Sequence, residues 1–263
     1  MLKKRLVGVV TIKNGWAVQS FGYQRYLPLG KPMCVIENLD RWGVDEILVQ
    51  VIDRSAGGQG PDFDLLERIG KHGLETPLIY GGGIRTEADG VRIVQMGADR
   101  LLIDTLLHQN LAEVYCLANK LGAQALIASL PMSLSDGQLN WHDYRTNSDR
   151  PVSAELERCL RLGVLSEALL VDWKSEGRVD GFTNTLVEKF PFKNTPLIAF
   201  GGLSDPAQAR ELLERSNVTA VAVGNFFNYR EHAAQNYKLA LKGLPVRMPT
   251  FRTENTFMAA ADV

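Results

Sequence analysis

Cysteine is scarce in this 263-residue chain, and its three copies, Cys34, Cys116 and Cys159, lie far apart. An odd number without a CxxC pair excludes a disulfide framework and points to a reducing cytoplasm. The four histidines (His72, His108, His142, His232) are equally scattered, and no His/Cys spacing suits zinc, so no metal and no cofactor is expected. There is no surplus of positive charge: 29 Lys+Arg stand against 30 Asp+Glu. That balance argues against a nucleic-acid binder. No apolar run approaches the roughly 20 residues that span a bilayer. The start, MLKKRLVGVVTIKNG, has only a short apolar run before Lys13 and Asn14, so it reads as a first strand and not as a signal peptide. Near-neutrality leaves one option open, because backbone N–H groups bind anions without basic side chains.

What is present is alternation. Short runs rich in Val, Ile and Leu fall at 5–12, 46–52, 77–80, 100–103, 125–130, 167–171, 196–200 and 219–223. They show little period-two patterning, as strands covered on both faces do. Helix patterns fall between them at 32–42, 63–72, 87–96, 109–121, 153–162, 184–190, 206–215 and 229–241. Thr86-Glu87-Ala88-Asp89 and Ser204-Asp205-Pro206 carry helix-start chemistry. Eight strand–helix units predict an α/β fold, the (β/α)8 TIM barrel. Two stretches break the alternation, 21–30 and 132–150. Both read as long loops after strands, at the face where barrels keep lids and substrate loops. Trp141, His142 and Tyr144 in the second are candidates to stack on a ligand.

The chain also repeats. Gly82 pairs with Gly201, Gly83 with Gly202, Ile84 with Leu203, Ala88 with Ala207 and Ile93 with Leu212, and Thr105 falls opposite Gly224 with no gap. A second echo matches Glu46 with Glu167. The reading is one domain over 1–247, made of half-barrels at about 1–122 and 123–247. The tail 248–263 is either disordered or a dock for a third protein through Phe251 and Phe257.

In each half a strand runs into a glycine turn, Gly81-Gly82-Gly83 or Gly201-Gly202. One unit later comes a small-residue strand end, Asp104-Thr105 or Gly224-Asn225. Glycine lets backbone approach a ligand closely, and neighbouring loops of this kind make a barrel's usual phosphate site. Two copies predict a ligand with a phosphate at each end. The plainer alternative is that these glycines only make tight turns.

Further motifs are Lys13-x-Gly15, Gly43-Val44-Asp45-Glu46, Gly81-Gly82-Gly83-Ile84, Gly97-Ala98-Asp99-Arg100, Glu176-Gly177 with Gly181, Gly201-Gly202 and Phe227-x-x-Arg230. From Arg5 to about Arg247 the chain resembles the cyclase subunit of imidazole glycerol phosphate synthase, a half-barrel family of histidine biosynthesis. The resemblance implies phosphate binding at Gly82, Gly83, Asp104 and Thr105 on one side, and at Gly177, Gly202, Gly224 and Asn225 on the other. The family's two catalytic aspartates end strands one and five, and here those positions read Thr11 and Pro131. Neither supplies a carboxylate. Further family acids read Val51 and Lys174, with Asp53 and Asp172 close by as displaced acids, and the family's loop-one lysine reads Gln19.

At the opposite end the resemblance implies a ring of four charges, Arg5, Glu46, Arg100 and Glu167, that gates an ammonia passage. A salt-bridge ring kept only for folding is the alternative. Asp99 is the carboxylate offered to a glutaminase docked beneath. No glutaminase nucleophile is expected in this chain, because Cys116 and Cys159 fall inside helix patterns and read as core, while Cys34 lies at a helix start. The leading expectation is a divergent paralogue that pairs with a glutaminase and channels ammonia to a phosphorylated or nucleotide-linked acceptor. Within the resemblance, such paralogues serve sugar amidination in surface-polysaccharide (O-antigen) synthesis. The alternatives are a genuine cyclase using Asp53 and Asp172, and a non-catalytic scaffold for a glutaminase.

Overall fold

The structure, a computed structural model, describes residues 4–179, 181–229 and 232–246. The Val/Ile/Leu runs form eight parallel strands: β1 (Arg5–Lys13), β4 (Glu46–Val51), β5 (Leu78–Gly81), β6 (Arg100–Ile103), β7 (Leu126–Ser135), β10 (Glu167–Asp172), β11 (Leu197–Phe200) and β12 (Val218–Val223). They pair in that order, and β12 pairs with β1, so the sheet closes into a (β/α)8 barrel. Closure removes every free edge of the barrel sheet.

Alternation along each barrel strand explains the continuous apolar runs. Val7, Val9, Leu48, Leu102, Ile127, Leu169 and Val171 pack inside the barrel. Their neighbours Leu6, Val10, Leu101, Ala128 and Leu170 pack outward against the helices. The helices are α1 (Pro32–Trp42), α2 (Phe63–His72), α3 (Glu87–Gln95), α4 (Thr105–Gln109), α5 (Leu111–Leu121), α6 (Ala154–Arg161), α7 (Thr185–Lys189), α8 (Pro206–Glu214) and α9 (Ala233–Ala240). Thr86 and Asp89 close a reciprocal capping box at the start of α3, and Asp205 accepts from the Ala207 amide ahead of α8. The helix expected over 109–121 is α5, which begins at Leu111; Asn110 separates it from the short α4 before it.

Three expectations need correction. The segments 21–30 and 132–150 are not irregular loops. β1 turns back into β2 (Trp16–Phe21) and β3 (Arg25–Gly30), and β7 turns back into β8 (Gln138–Asp143) and β9 (Ser148–Arg150). The cause is two tight turns. Asn14-Gly15 and Asp136-Gly137 both have positive φ at each residue, 52° and 76°, then 50° and 76°. That is the type I′ pattern, whose twist matches paired strands. Each half therefore carries the same extension on its first strand.

The ungapped repeat also slips. Tyr80 lies beside Leu101, and Ala199 beside Val221, so the second half holds one extra residue, at a bulge within β12 where Leu197 lies beside Val218 but Ile198 beside Ala220. Asp104 thus stands opposite Gly224, and Thr105 opposite Asn225. Backbone angles agree: φ, ψ are −124°, −84° at Asp104 and −106°, −101° at Gly224. The same register pairs Thr11 with Pro131, since Val7 lies beside Glu46 and Ile127 beside Glu167. Finally, Cys116 is exposed on α5 and is no core residue, because Val114 and Leu117 carry that helix's buried face, while Cys159 is buried. Arg230, Phe251 and Phe257 lie outside the described residues.

Candidate functional site

The mouth of the barrel holds a cavity of about 690 Å³, and the two hairpins build much of its wall. Tyr23 and Tyr26 come from the β2–β3 hairpin, and His142, Asp143, Tyr144 and Arg145 from the second extension. Lys13, Gln50, Asp53, Gly82, Asp104, Thr105 and Trp173 complete it at the strand ends. The aromatic wall is interlocked. His142 stacks on Trp173 at 3.9 Å, and Tyr144 meets Tyr23 edge-on at 5.1 Å. Lys13 Nζ lies 3.8 Å above the Tyr26 ring. His142 and Tyr144 therefore reach the cavity as expected for stacking residues. Trp141 does not: it is buried and stacked on His108 at 3.7 Å.

Asp104 is the central titratable group. It continues the inward row of β6 after Arg100 and Leu102, and its Oδ2 accepts from Ser129 Oγ at 3.1 Å. Burial raises its carboxyl to about 7, helped by the charge of Asp143 and opposed by the Ser129 hydrogen bond and Arg145. Behind it, Asp143 accepts from Arg145 (2.7 Å) and Arg150 (2.9 Å). Burial pushes Asp143 up, but the Arg145 hydrogen bonds outweigh this and hold it at about 2. His108, also against Arg150, is driven down to about 4, chiefly by burial, so its ring is neutral at pH 7. Burial also raises the Tyr23 and Tyr144 hydroxyls.

Of the two displaced acids, Asp53 lines the cavity and accepts from the Asn14 amide at 2.6 Å. Asp172 does not line it. Its oxygens accept from the amides of Ser175 (3.3 Å) and Thr183 (2.9 Å), which fixes the loop after β10. Thr11 and Pro131 belong to inward rows but put no acid into the mouth.

The two expected phosphate sets are placed differently. Gly82, Asp104 and Thr105 line the cavity; Gly83 packs against Gly60 beneath it. Gly177, Gly202, Gly224 and Asn225 do not line it, and the β2–β3 hairpin lies against Gly177 and Asn225. A Cβ on Gly177 would collide with the Ser20 carbonyl, and the Asn225 amide both donates to that carbonyl at 2.6 Å and accepts from the Ser20 amide at 3.2 Å. Glu176 completes the clamp, accepting from Ser20 Oγ at 2.9 Å and Tyr23 N at 3.3 Å. Burial raises its carboxyl to about 7.

At the floor the four ring charges do meet. Arg5 contacts Glu46 at 3.5 Å and Glu167 more closely, while Arg100 contacts Glu46 at 3.6 Å and Glu167 at 2.6 Å. The two acids are unequal. Burial raises Glu46 despite both arginines; Glu167 feels the same burial but is lowered by Arg5, Arg100 and the Thr219 hydrogen bond at 2.6 Å. Arg5 Nε and Glu46 Oε2 are buried without a hydrogen-bond partner, while Arg100 Nη1 and Glu167 Oε2 pair with each other. Asp99, at the same end, is exposed and spends one oxygen on the Leu78 amide at 2.8 Å. Among the described residues there is no cluster of metal-ligating side chains, and no helix is long and apolar enough to cross a membrane.

Reading the sequence missed Lys13, Tyr23, Tyr26, Gln50, Arg145 and Trp173 as cavity walls. The Asn14-Gly15 and Asp136-Gly137 turns were the available signal, because folding those segments back brings their aromatics over the mouth.

A family model described as "Histidine biosynthesis protein" matches residues 5–233. The imidazole glycerol phosphate synthase subunit HisF of Pyrococcus furiosus is 28% identical, covering 94% of this chain and 100% of that protein. A Campylobacter jejuni protein bearing the name imidazole glycerol phosphate synthase subunit hisF2 is 29% identical, with the same two coverages, 94% and 100%. A Pseudomonas aeruginosa protein of the same hisF2 name is 26% identical over 86% of this chain and 91% of its own.

Proposed function

This chain belongs to the histidine biosynthesis protein family, and on that premise we propose that it is the synthase half of a two-protein, cytoplasmic amidotransferase. A glutaminase docks at the barrel floor near Asp99 and releases ammonia, which passes the ring of Arg5, Glu46, Arg100 and Glu167. The acceptor is a phosphorylated or nucleotide-linked small molecule at the mouth, and sugar amidination for surface polysaccharide is the chemistry this reading favours.

The observation that carries it is a contrast within one barrel. The floor keeps all four charges, with Arg5 Nε and Glu46 Oε2 buried without a hydrogen-bond partner. A ring kept for folding alone gains little from such orphans. The mouth, meanwhile, has Thr11 and Pro131 in place of the family's acids. Between floor and mouth the interior is apolar. Neutral ammonia enters such a medium at small cost, whereas ammonium pays heavily for losing water.

Mixing the chain with its glutaminase and measuring glutamine hydrolysis tests the reading. A stable complex with stimulated hydrolysis is expected; no complex and no stimulation overturns it. Tight pairing without ammonia transfer would instead assign a scaffold. The position of Asp53 in the cavity favours a second reading, a cyclase with displaced acids. It requires imidazole glycerol phosphate from the bis-phosphorylated ribonucleotide and ammonium salt. A flat assay that gains activity after Thr11→Asp with Pro131→Asp removes it.

A further inference from the structure

The register of the two halves sets Asp104 opposite Gly224. One half thus places a carboxyl at a strand end where the other has no side chain. A carboxylate is a poor neighbour for a phosphate, since two like charges in one site disfavour each other's ionised form. Yet Asp104 lines the same cavity wall as Gly82 and Thr105. We propose that Asp104 makes anion binding at this wall conditional on a proton: the wall holds a phosphate group only while Asp104 is a carboxylic acid whose O–H donates to it. This rests on the phosphorylated-ligand reading above and adds the charge state in which that ligand is accepted.

The surroundings of Asp104 fit this role from each side. On β7, Ser129 satisfies Oδ2 at 3.1 Å and leaves Oδ1 for another partner. On α4, His108 Nε2 lies 3.8 Å from Oδ1, beyond hydrogen-bond reach, and is buried without a partner. From the second extension, Asp143 faces it but is already tied to Arg145 and Arg150. Tyr144 and, from the β2–β3 hairpin, Tyr23 face it as neutral phenols. Among the described residues no Lys or Arg forms an ion pair with Asp104. Lys13 and Arg145 line the cavity, as do the acids Asp53 and Asp143, and Asp104 is the acid on the wall it shares with Gly82 and Thr105. Burial in this setting keeps its carboxyl protonated up to about pH 7.

Sulfate is the right probe, because its charge does not change over the range used. Calorimetric titration at pH 5.5 and 8.5 compares the wild-type chain with Asp104→Asn and Asp104→Gly, the second restoring the residue type of the other half. Far-UV circular dichroism checks that each variant is folded. Wild-type affinity is expected to fall roughly 30-fold at the higher pH, tenfold for each pH unit above the folded pKa. Both variants are expected to bind with a much flatter pH dependence, because the carboxyl at position 104 is absent from them. Sulfate binding with equal slopes in wild type and variants overturns the inference and leaves the phosphate reading standing. Absence of saturable binding in every protein at both pH values overturns that reading, and the inference with it.

Discussion

At the mouth of the first half, Gly82, Asp104 and Thr105 open onto a cavity of about 690 Å³, while Gly202, Gly224 and Asn225 of the second half lie outside it, and Asn225 is bonded to Ser20 of the β2–β3 hairpin. The backbones of the two halves correspond closely: the same register of β1 on β4 as of β7 on β10, the same positive-φ turns after β1 and β7, the same paired glycines. Their side chains diverge. Asn225 and Glu176 are spent on holding the hairpin down, and the matching Thr105 is left facing the cavity. Matching backbones thus carry different side-chain roles, with Thr105 on the cavity wall and Asn225 bonded to the hairpin.

The frame itself offers the largest test. Gly82 and Gly201 have φ of 130° and 111°, and a Cβ on either would strike a carbonyl of the preceding barrel strand, Val51 or Asp172. Strain of about 1–3 kcal/mol adds to overpacking of about 1–3 kcal/mol. Gly82→Ala and Gly201→Ala should each destabilise by about 3–5 kcal/mol in urea unfolding. If only one of them is costly, the halves do not share this device.

The ring sharpens the comparison, because Glu46 and Glu167 are equivalent by register yet unequal in surroundings. Glu167 holds the close arginine contacts and Thr219. Breaking a buried pair costs about 3–5 kcal/mol, so Glu167→Gln should approach about 3 kcal/mol. Glu46, with contacts at 3.5 and 3.6 Å, should lose under about 1 kcal/mol on Glu46→Gln. The pH dependence has opposite signs. Glu167, lowered in the fold, stabilises above the ordinary carboxylate range, and that stability is lost as pH falls through its lowered value. Glu46, raised in the fold, adds stability only at lower pH, and this is lost as pH rises through its raised value. Equal losses in the two variants would mean that the asymmetry of contacts carries no energy.

The barrel was legible because eight Val/Ile/Leu runs of strand length, separated by helix patterns, admit few other closures. Conversely, the hairpins were not read, although Asn14-Gly15 and Asp136-Gly137 are strong turn signals, because the residues after them are polar or glycine-rich and imitate loops. The slip between Asp104 and Thr105 was hidden as well: one extra residue at the bulge in β12 leaves every sequence match up to Leu212 intact. It shows only in which strand residues sit side by side. Asp104 was legible as a mouth residue from its place at a strand end. Its elevated pKa comes from burial, with a further push from Asp143 on another strand, and no local pattern announces that meeting.

The last comparison sets the buried acid of each half side by side. Glu176 clamps the second half, Asp104 lines the first, and burial raises both to about 7. In the fold each keeps a proton that the unfolded chain releases near pH 4. The folded state therefore binds more protons between about pH 4 and 7, and stability falls as pH rises through that window. One such group can contribute at most about 1.4 kcal/mol per pH unit. Glu176 is 3% exposed and should come near that limit. The Asp104 side chain is 29% accessible, so water screens it and its share is smaller. Urea unfolding at pH 5, 6 and 7 should show that Glu176→Gln flattens the slope more than Asp104→Asn. The reverse order would place the deeper burial in the open half, and the hairpin over the second half could no longer be regarded as the tighter seal.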